Sequence, residues 1–461
     1  MELPFAAANI AASYYARAGD VVYQFYAQNS RAMLDALHIL FKGSFTIVLW
    51  MTAAIAIIYL VMAAVVLFTR KRVHPQQLPR GKEPTVTVQI PTYNELAAIT
   101  CAKRALAFDY PAEKLQIIIG DDSNNPTVRT AIDRFAAQHK GRILVTRRGE
   151  NIGFKPGNLN HMLKYTTGDI IVIFDSDFLP EKDFLRRIVA PIALDPSVAV
   201  AQARWRITNF RQNGVSVLGG TITMLCHNIM LAFIDRTGSN AFLCGSAEAI
   251  RRSHLLKAGG WLTGSLTEDI ECSLRLYQQG RRLVYLEDLS CGCEAPHTIR
   301  DLCKQQMRWA FGVITAFKMH SRKLFMSPRP RARDKMSAAL FGSGYFFSVL
   351  LLLITVFGIL SLLSDKPAPI DWALFISETA RNLLLTSGFL LASVLALVAG
   401  GEGKAIPRMI ASSLTVGLIV TYYVNVGIVK AMLGRKMRWF MLAKNGNKMS
   451  ATRSTPRPGS G

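Results

Sequence analysis

The 461-residue chain has no Gly-x-Gly-x-x-Gly stretch and no Gly-x-x-x-x-Gly-Lys-Ser/Thr stretch. The usual dinucleotide fingerprint and the P-loop are therefore excluded, since both need glycines where the backbone meets a pyrophosphate. Acidic residues are scarce, 31 Asp and Glu against 54 Lys and Arg, which leaves a net charge of +23. Such an excess suits nucleic acid or an anionic membrane surface. Seven cysteines are too few and too irregular for a disulfide framework in a chain of this length. Cys291, Cys293, His297 and Cys303 lie close together, but their spacing matches no common zinc pattern.

What is present in quantity is uncharged apolar sequence. Residues 45–68 (FTIVLWMTAAIAIIYLVMAAVVLF) and 338–363 carry no charge and are long enough to span a bilayer. Two more candidates follow, at about 383–400 and 409–429. The first run starts too late and is too long for a cleaved leader, so it is expected to be retained. The basic excess concentrates at span ends: Arg70, Lys71 and Arg72 after the first, and Arg322, Lys323, Arg329, Arg331, Arg333 and Lys335 before the second. That placement marks the membrane's cytoplasmic face rather than nucleic acid, and puts the polar region between them in the cytoplasm. The expected organisation is a non-catalytic segment 1–44, a span 45–68, a catalytic domain 73–320, amphipathic interface helices 300–335, spans within 338–430 and a basic tail 431–461. One conflict stands in this reading. Three C-terminal spans would leave the tail outside, whereas Lys430, Arg435, Lys436, Arg438, Lys444 and Lys448 mark the inside.

Within the polar region, short apolar runs alternate with helical patterns: strands at 85–91, 115–119, 142–147, 171–174, 198–205 and 282–286, helices at about 95–107 and 126–140. This alternation predicts a parallel, doubly wound α/β sheet. Its strands end in acidic residues. Ile171–Phe174 stops in Asp175-Ser176-Asp177, and Leu115–Ile119 stops in Gly120-Asp121-Asp122-Ser123. Carboxylates at i and i+2 lie on one side of a chain at the strand's C-terminal end, where open α/β sheets hold ligands. Such a pair repels itself unless a cation intervenes, and Mg2+ or Mn2+ with a diphosphate is the expected occupant. Thr267 can equally be a helix cap, and Glu268 and Asp269 can equally serve a helix dipole.

The order of these elements adds a resemblance. PTYNE at 91–95, GDDS at 120–123, KPGNLN at 155–160, DSD at 175–177, CGS at 244–246, TED at 267–269 and QQMRW at 305–309 follow the motif order of processive family-two glycosyltransferases. The similarity covers about residues 85–320 and looks most like the cellulose synthase superfamily, with QARW and AGGW resembling its mannan synthase-like branch. It implies a GT-A (Rossmann-like) cytoplasmic domain plus an α-helical transmembrane region in a bacterial inner membrane. By the same resemblance, Asp121 and Asp122 hold the nucleoside, with Tyr93 and Glu95 lining the base pocket and Lys155 near the diphosphate. Asp175 and Asp177 form the metal motif, Asp177 the nearer ligand of Mg2+ or Mn2+ and Asp175 nearer the ribose. Asp269 is the general base, oriented by Thr267 and Glu268. Gln305, Arg308 and Trp309 close over the donor, Trp309 also stacking on the acceptor sugar. Cys244, Gly245 and Ser246 form the acceptor loop. Trp205 departs from the cellulose synthase pattern, so the sugar stays open: UDP-glucose is favoured and GDP-mannose possible. The implied partners are this donor, a growing polysaccharide and the lipid bilayer, with no nucleic acid. Transfer of a single sugar to a lipid, and a non-enzymatic scaffold or transporter, are the alternatives.

Overall fold

The computed structural model describes residues 3–366 and 369–437. Two compact units emerge, one from residues up to Ile57 with Phe347–Gly388, the other from Ile58–Phe346 with the residues from Phe389 onward.

The first unit holds most of α1, a single helix Leu3–Phe68. The sequence reading divides this stretch at residue 44, but the helix runs through. Its only glycines are Gly19 and Gly43, and an isolated glycine costs a helix about 1 kcal/mol, too little to break one this long. Inside this unit His38 donates from Nδ1 to the Ser361 carbonyl at 3.0 Å, and Lys366 pairs with Asp35 at 3.0 Å.

The second unit is built on one seven-stranded sheet. In chain order its elements are β1 (Val86–Thr92), α2 (Ala97–Leu106), β2 (Leu115–Asp121), α3 (Pro126–Gln138), β3 (Ile143–Thr146), α4 (Phe154–Leu163), β4 (Ile170–Ile173), α5 (Phe184–Leu194) and β5 (Val198–Ile207). Then come α6 (Gly214–Met224), a π-helical turn (Leu225–Leu231), α7 (Ala232–Arg236), β6 (Glu248–Arg251), α8 (Arg252–Lys257), α9 (Glu268–Gln278), β7 (Arg282–Cys293), α10 (Ile299–Met326) and α11 (Ala332–Ser343). The strand order is β3-β2-β1-β4-β6-β5-β7. β1 to β4 pair in parallel, as do β5 and β7, and the face carrying Val88, Ile90, Ile117, Ile119 and Val172 is buried with the apolar sides of α2, α3 and α5.

The sheet is mixed rather than wholly parallel. β6, which no periodic pattern announces, runs antiparallel between β4 and β5. Four residues are too short to show alternation. The direction has a consequence: Glu248 opens β6 opposite Ile173, the last residue of β4. The loop Cys244-Gly245-Ser246 that feeds β6 therefore lies beside Asp175-Ser176-Asp177. β7 is also longer than the expected 282–286. A register shift opposite Ala203 and Arg204 lets it continue to Cys293 along Trp205 and Ile207.

The remaining helices are α12 (Phe346–Ser364), α13 (Trp372–Thr386), α14 (Gly388–Ala399) and α15 (Ile406–Met432). Among the described residues four helical stretches are long and apolar enough to cross a membrane: Gly19–Phe68, Gly214–Arg236, Phe346–Ser364 and Gly403–Met432. The expected span at 383–400 falls across α13 and α14, which meet at a 53° bend. The sequence reading misses Gly214–Arg236, which is mostly buried within the protein.

α15 has both ends tied to the sheet domain. Glu402, just before it, pairs with Arg211 at 2.8 Å. At the far end Lys318 of α10 donates to the Met432 carbonyl at 2.8 Å. Between them Val420 and Val424 pack with Leu302, Cys303 and Ala310 of α10 and Leu218 of α6. Contact is closest at Gly427, where a Cβ would lie 2.5 Å from the Met307 carbonyl oxygen. Gly427→Val is expected to force the two helices apart and cost about 1–3 kcal/mol, read as a lowered Tm of the purified protein in detergent. An unchanged Tm would show that the helices separate freely.

Candidate active site

The strand ends of β1, β2 and β4, the loop before β6 and the first turns of α4 and α9 converge on one cleft, closed on one side by α10. Local chemistry fixes each contributor. Asn158 of α4 donates from its amide to the Gly120 carbonyl at 2.7 Å. A Cβ at residue 120 would lie 2.1 Å from the Asn158 side-chain oxygen, so only glycine lets α4 dock against β2. Residues 151–160, where the sequence suggests a loop entering a helix, are already helical from Phe154, and Lys155 stands in the first turn.

Lys155 is the hub. Its ammonium lies 2.8 Å from Asp175 Oδ1 and 3.2 Å from Glu268 Oε1, and it donates to the Gly245 carbonyl at 2.6 Å. Burial works against its charge, but Asp175 and Glu268 outweigh burial and hold the amine above the ordinary lysine range. The Gly245 N–H donates to Glu248 at 2.8 Å, so the 244–246 loop is gripped at both ends of one residue. A second tie runs through Ser273. Its hydroxyl donates to the Asp269 carbonyl at 2.8 Å and accepts from the Leu243 amide at 2.9 Å.

Asp269 stands at the start of α9 and faces the cleft. Burial first, then the Glu268 carboxylate, push its carboxyl up to about 7, with Lys155 opposing. Glu248, fully buried, is raised by the same desolvation and by Asp269. Arg308 is pulled below the usual guanidinium range by burial, against Glu268, Asp175 and Asp269. Thr267 is the N-cap residue of α9, yet its side chain makes no capping hydrogen bond. Its hydroxyl is buried without a partner.

The structure brings nearly all the sequence-derived residues together. Tyr93, Glu95, Asp122, Lys155, Asp175, Asp177, Cys244, Gly245, Thr267, Glu268, Asp269, Gln305, Arg308 and Trp309 all line the cleft. Two do not. Asp121 turns away and pairs with Arg147 at 2.8 Å, because consecutive residues at a strand end point to opposite sides. Its neighbour Asp122 faces the cleft, held by the Arg148 guanidinium. Burial outweighs that guanidinium and raises the Asp122 carboxyl. Ser246 is fully buried and supports from behind, its hydroxyl accepting the Asp175 N–H at 2.9 Å. Glu95 accepts the Ser176 hydroxyl and so fixes the residue between the two aspartates, while Asp177 accepts the Glu294 N–H at 3.2 Å.

Sequence reasoning overlooked Glu248, Phe178 and Glu294. Only Glu248 carried a signal, an acidic residue inside an otherwise small and apolar run. Trp205 also lines the cleft. Its indole N–H donates to the Ser246 carbonyl at 3.0 Å, and its ring stacks on His227 of the π-helical turn at 5.1 Å. Cys291, Cys293 and Cys303 are free thiols, and among the described residues no three His, Cys, Asp or Glu side chains are placed to hold a metal by themselves.

The family model described as glycosyltransferase like family 2 matches residues 84–312, and the model described as cellulose synthase matches residues 246–401. The chain belongs to the cellulose synthase superfamily of family-two glycosyltransferases. Within this superfamily it is 30% identical over 297 residues to putative cellulose synthase 2 of Komagataeibacter xylinus, a match covering 60% of this chain and 19% of that one. It is 32% identical over 272 residues to glucomannan 4-beta-mannosyltransferase 2 of Arabidopsis thaliana, covering 57% and 50%. The matches thus span between a fifth and a half of these relatives. Among solved structures, a mannosyltransferase from Pyrobaculum calidifontis in complex with GDP-Man and Mn2+ superposes with a TM-score of 0.61 at 20% identity, covering 88% of this chain and 99% of that one. The domain has the GT-A fold.

Lys155→Met is expected to leave Asp175 and Glu268 with Arg308 as the one cation still lining the cleft. Breaking a buried ion pair costs about 3–5 kcal/mol, so Tm should fall clearly at pH 7.5. The deficit should shrink toward pH 5, because the Asp269 carboxyl, already raised to about 7 with Lys155 in place, takes up a proton there and relieves the repulsion. A pH-independent deficit would mean that Lys155 contributes packing alone.

Proposed function

We propose that this protein is a membrane-embedded inverting glycosyltransferase that polymerises a β-linked polysaccharide of glucan or mannan type from a nucleotide-sugar donor. The observation that carries the reading is the placement of Asp175 and Asp177, Asp269, Arg308 and Trp309 in a single cleft. Its lining has seven carboxylates (Glu95, Asp122, Asp175, Asp177, Glu268, Asp269 and Glu294) against two cations, Lys155 and Arg308. A donor's diphosphate cannot settle among so many negative groups without a divalent cation. Two carboxylates offering hard oxygens fit Mg2+ or Mn2+, which habitually completes its shell with water and substrate phosphate. Asp177, and Asp175 beside it, would hold that ion, and when bound it would offset charge on the leaving diphosphate.

The remaining chemistry belongs to the chain. Tyr93 and Asp122 flank the nucleoside end. Arg308 offers a planar fork to diphosphate oxygens, within a buried setting where such pairing is strong. Trp309 offers an aromatic face to the acceptor sugar. The acceptor hydroxyl gives its proton to the Asp269 carboxylate as its oxygen attacks the anomeric carbon. The bond to the diphosphate breaks, and the electron pair leaves with the nucleoside diphosphate. A base whose pKa lies near the working pH suits this transfer. The relatives named as cellulose synthases and glucomannan mannosyltransferases support a β-glycan product. The donor named in the Pyrobaculum structure supports a nucleotide sugar with a divalent ion. UDP-glucose remains the favoured donor and GDP-mannose the second.

The decisive assay supplies purified protein with UDP-glucose or GDP-mannose and Mg2+ or Mn2+. Long product supports polymerisation, a single glycolipid supports the single-transfer alternative, and no turnover by folded protein with any donor refutes both. Asp269→Asn is expected to abolish transfer while donor binding persists. In the wild type kcat/KM should fall about tenfold per pH unit below about 7, as the base becomes protonated. Normal polymerisation by the variant would remove Asp269 from this role.

The ties at both ends of α15 also bear on topology. We propose that α12 and the bent pair α13–α14 cross the bilayer while α15 stays against the cytoplasmic domain, which returns the chain to the side marked by Lys430, Arg435 and Lys436. Gly401→Cys and Gly434→Cys should then both react with an impermeant maleimide from the cytoplasmic side alone. Reaction of either from the other side would show that α15 crosses. Arg438, Lys444 and Lys448 lie outside the described residues.

A further inference from the structure

Where α1 ends and the sheet domain begins, the acidic side chains Asp235, Glu287, Asp288 and Asp334 already have partners. Arg236 pairs with Glu287 at 2.6 Å and donates to the Val66 and Thr69 carbonyls, capping the C-terminus of α1. Lys71 pairs with Asp288 at 2.5 Å, His74 with Asp235 at 2.9 Å and Arg331 with Asp334 at 2.8 Å. The Arg72 and Arg333 guanidiniums have no carboxylate partner among the described residues. A Cβ on Gly238 would lie 3.1 Å from Arg333 Nη1 and 3.4 Å from Arg72 Nη1, so both stand over the same bare backbone carbon with no carboxylate between them. Neither backbone is loose. Arg72 lies between the Lys71–Asp288 and His74–Asp235 pairs, and the Arg333 carbonyl accepts from Ser239 at 3.3 Å and Ser337 at 2.9 Å.

Two like charges held this close repel unless an anion bridges them, and paired guanidiniums match phosphate oxygens. The surroundings decide the source. Phe68 is 87% exposed, Val73 92% and Met336 64%, an apolar fringe that suits acyl chains. We propose that Arg72 and Arg333, over Gly238, form a binding site for the phosphate of an anionic phospholipid. The headgroup would clip the linker after α1 to the segment leading into α11, holding the sheet domain at the bilayer surface. This rests on the membrane-embedded reading above, and needs no sugar transfer to be tested.

The test reconstitutes the full chain in nanodiscs of phosphatidylcholine alone or with phosphatidylglycerol, and measures Tm and, by native mass spectrometry, retained lipid. Wild type should gain Tm with phosphatidylglycerol and retain it. Arg72→Gln/Arg333→Gln should match wild type in phosphatidylcholine but bind phosphatidylglycerol about thirtyfold more weakly, given the worth of each basic residue at such a surface. Arg322→Gln/Lys323→Gln, basic residues at the same membrane face but away from Gly238, should lose clearly less phosphatidylglycerol binding than Arg72→Gln/Arg333→Gln; an equal loss would show diffuse surface charge and overturn the site. Should the double variant not fold, Arg333→Gln alone should show a smaller loss of the same kind. Equal lipid dependence in wild type and double variant would overturn the site. Inorganic phosphate reproducing the full Tm gain in phosphatidylcholine discs would overturn the lipid assignment. All these readouts are independent of catalysis, so failure of the enzymatic reading leaves them interpretable.

Discussion

The cleft depends on one buried ammonium. Lys155 touches Asp175 from β4, Glu268 from α9 and the Gly245 carbonyl from the loop before β6. Three segments far apart in the chain are thereby held around a single charge. Without it Asp175, Glu248, Glu268 and Asp269 would crowd a low-dielectric space with Arg308 the one cation of the cleft lining left against their mutual repulsion. With it, Glu268 stays close enough to Asp269 to help raise that carboxyl to about 7. One ion pair network thus fixes geometry and tunes acidity together.

α10 carries the same economy. One side of the helix delivers Gln305, Arg308 and Trp309 to the cleft. Leu302, Cys303 and Ala310 meet α6 and α15 instead. α15 therefore acts as a backing for the element that would grip the diphosphate, and a disturbance at Gly427 reaches Met307, next to Arg308. The hydropathy that marks α15 as a candidate span serves at least in part to pack against protein. The same holds for Gly214–Arg236, whose π-helical turn sets His227 under Trp205. Length and apolarity measure what a helix hides, and protein hides it as well as lipid does.

A residue's motif and its position in space also separate in this fold. Asp121 and Ser246 belong to the motifs as fully as Asp122 and Gly245, yet both face away from the cleft. Asp121 anchors Arg147, and Ser246 receives the Asp175 N–H. They stabilise the backbone whose neighbours line the site. Glu248 shows the reverse: outside the motif elements above, it holds the 244–246 loop through the Gly245 N–H.

The sequence alone determined the α/β alternation, the acidic strand ends, the apolar helices and most of the residues in the cleft. These depend on short-range periodicity and on residue types that suit few environments. It could not reveal β6, whose four residues show no period, nor that β6 runs antiparallel. Nor could it show which aspartate of a pair faces inward, because one step along a strand reverses the side. Tertiary structure decided those points, together with the Lys155 hub and the tethering of α15 at both ends. Most of these are set by contacts between segments distant in the chain, such as Lys155 with Gly245 and Lys318 with Met432, and local pattern carries no record of such contacts.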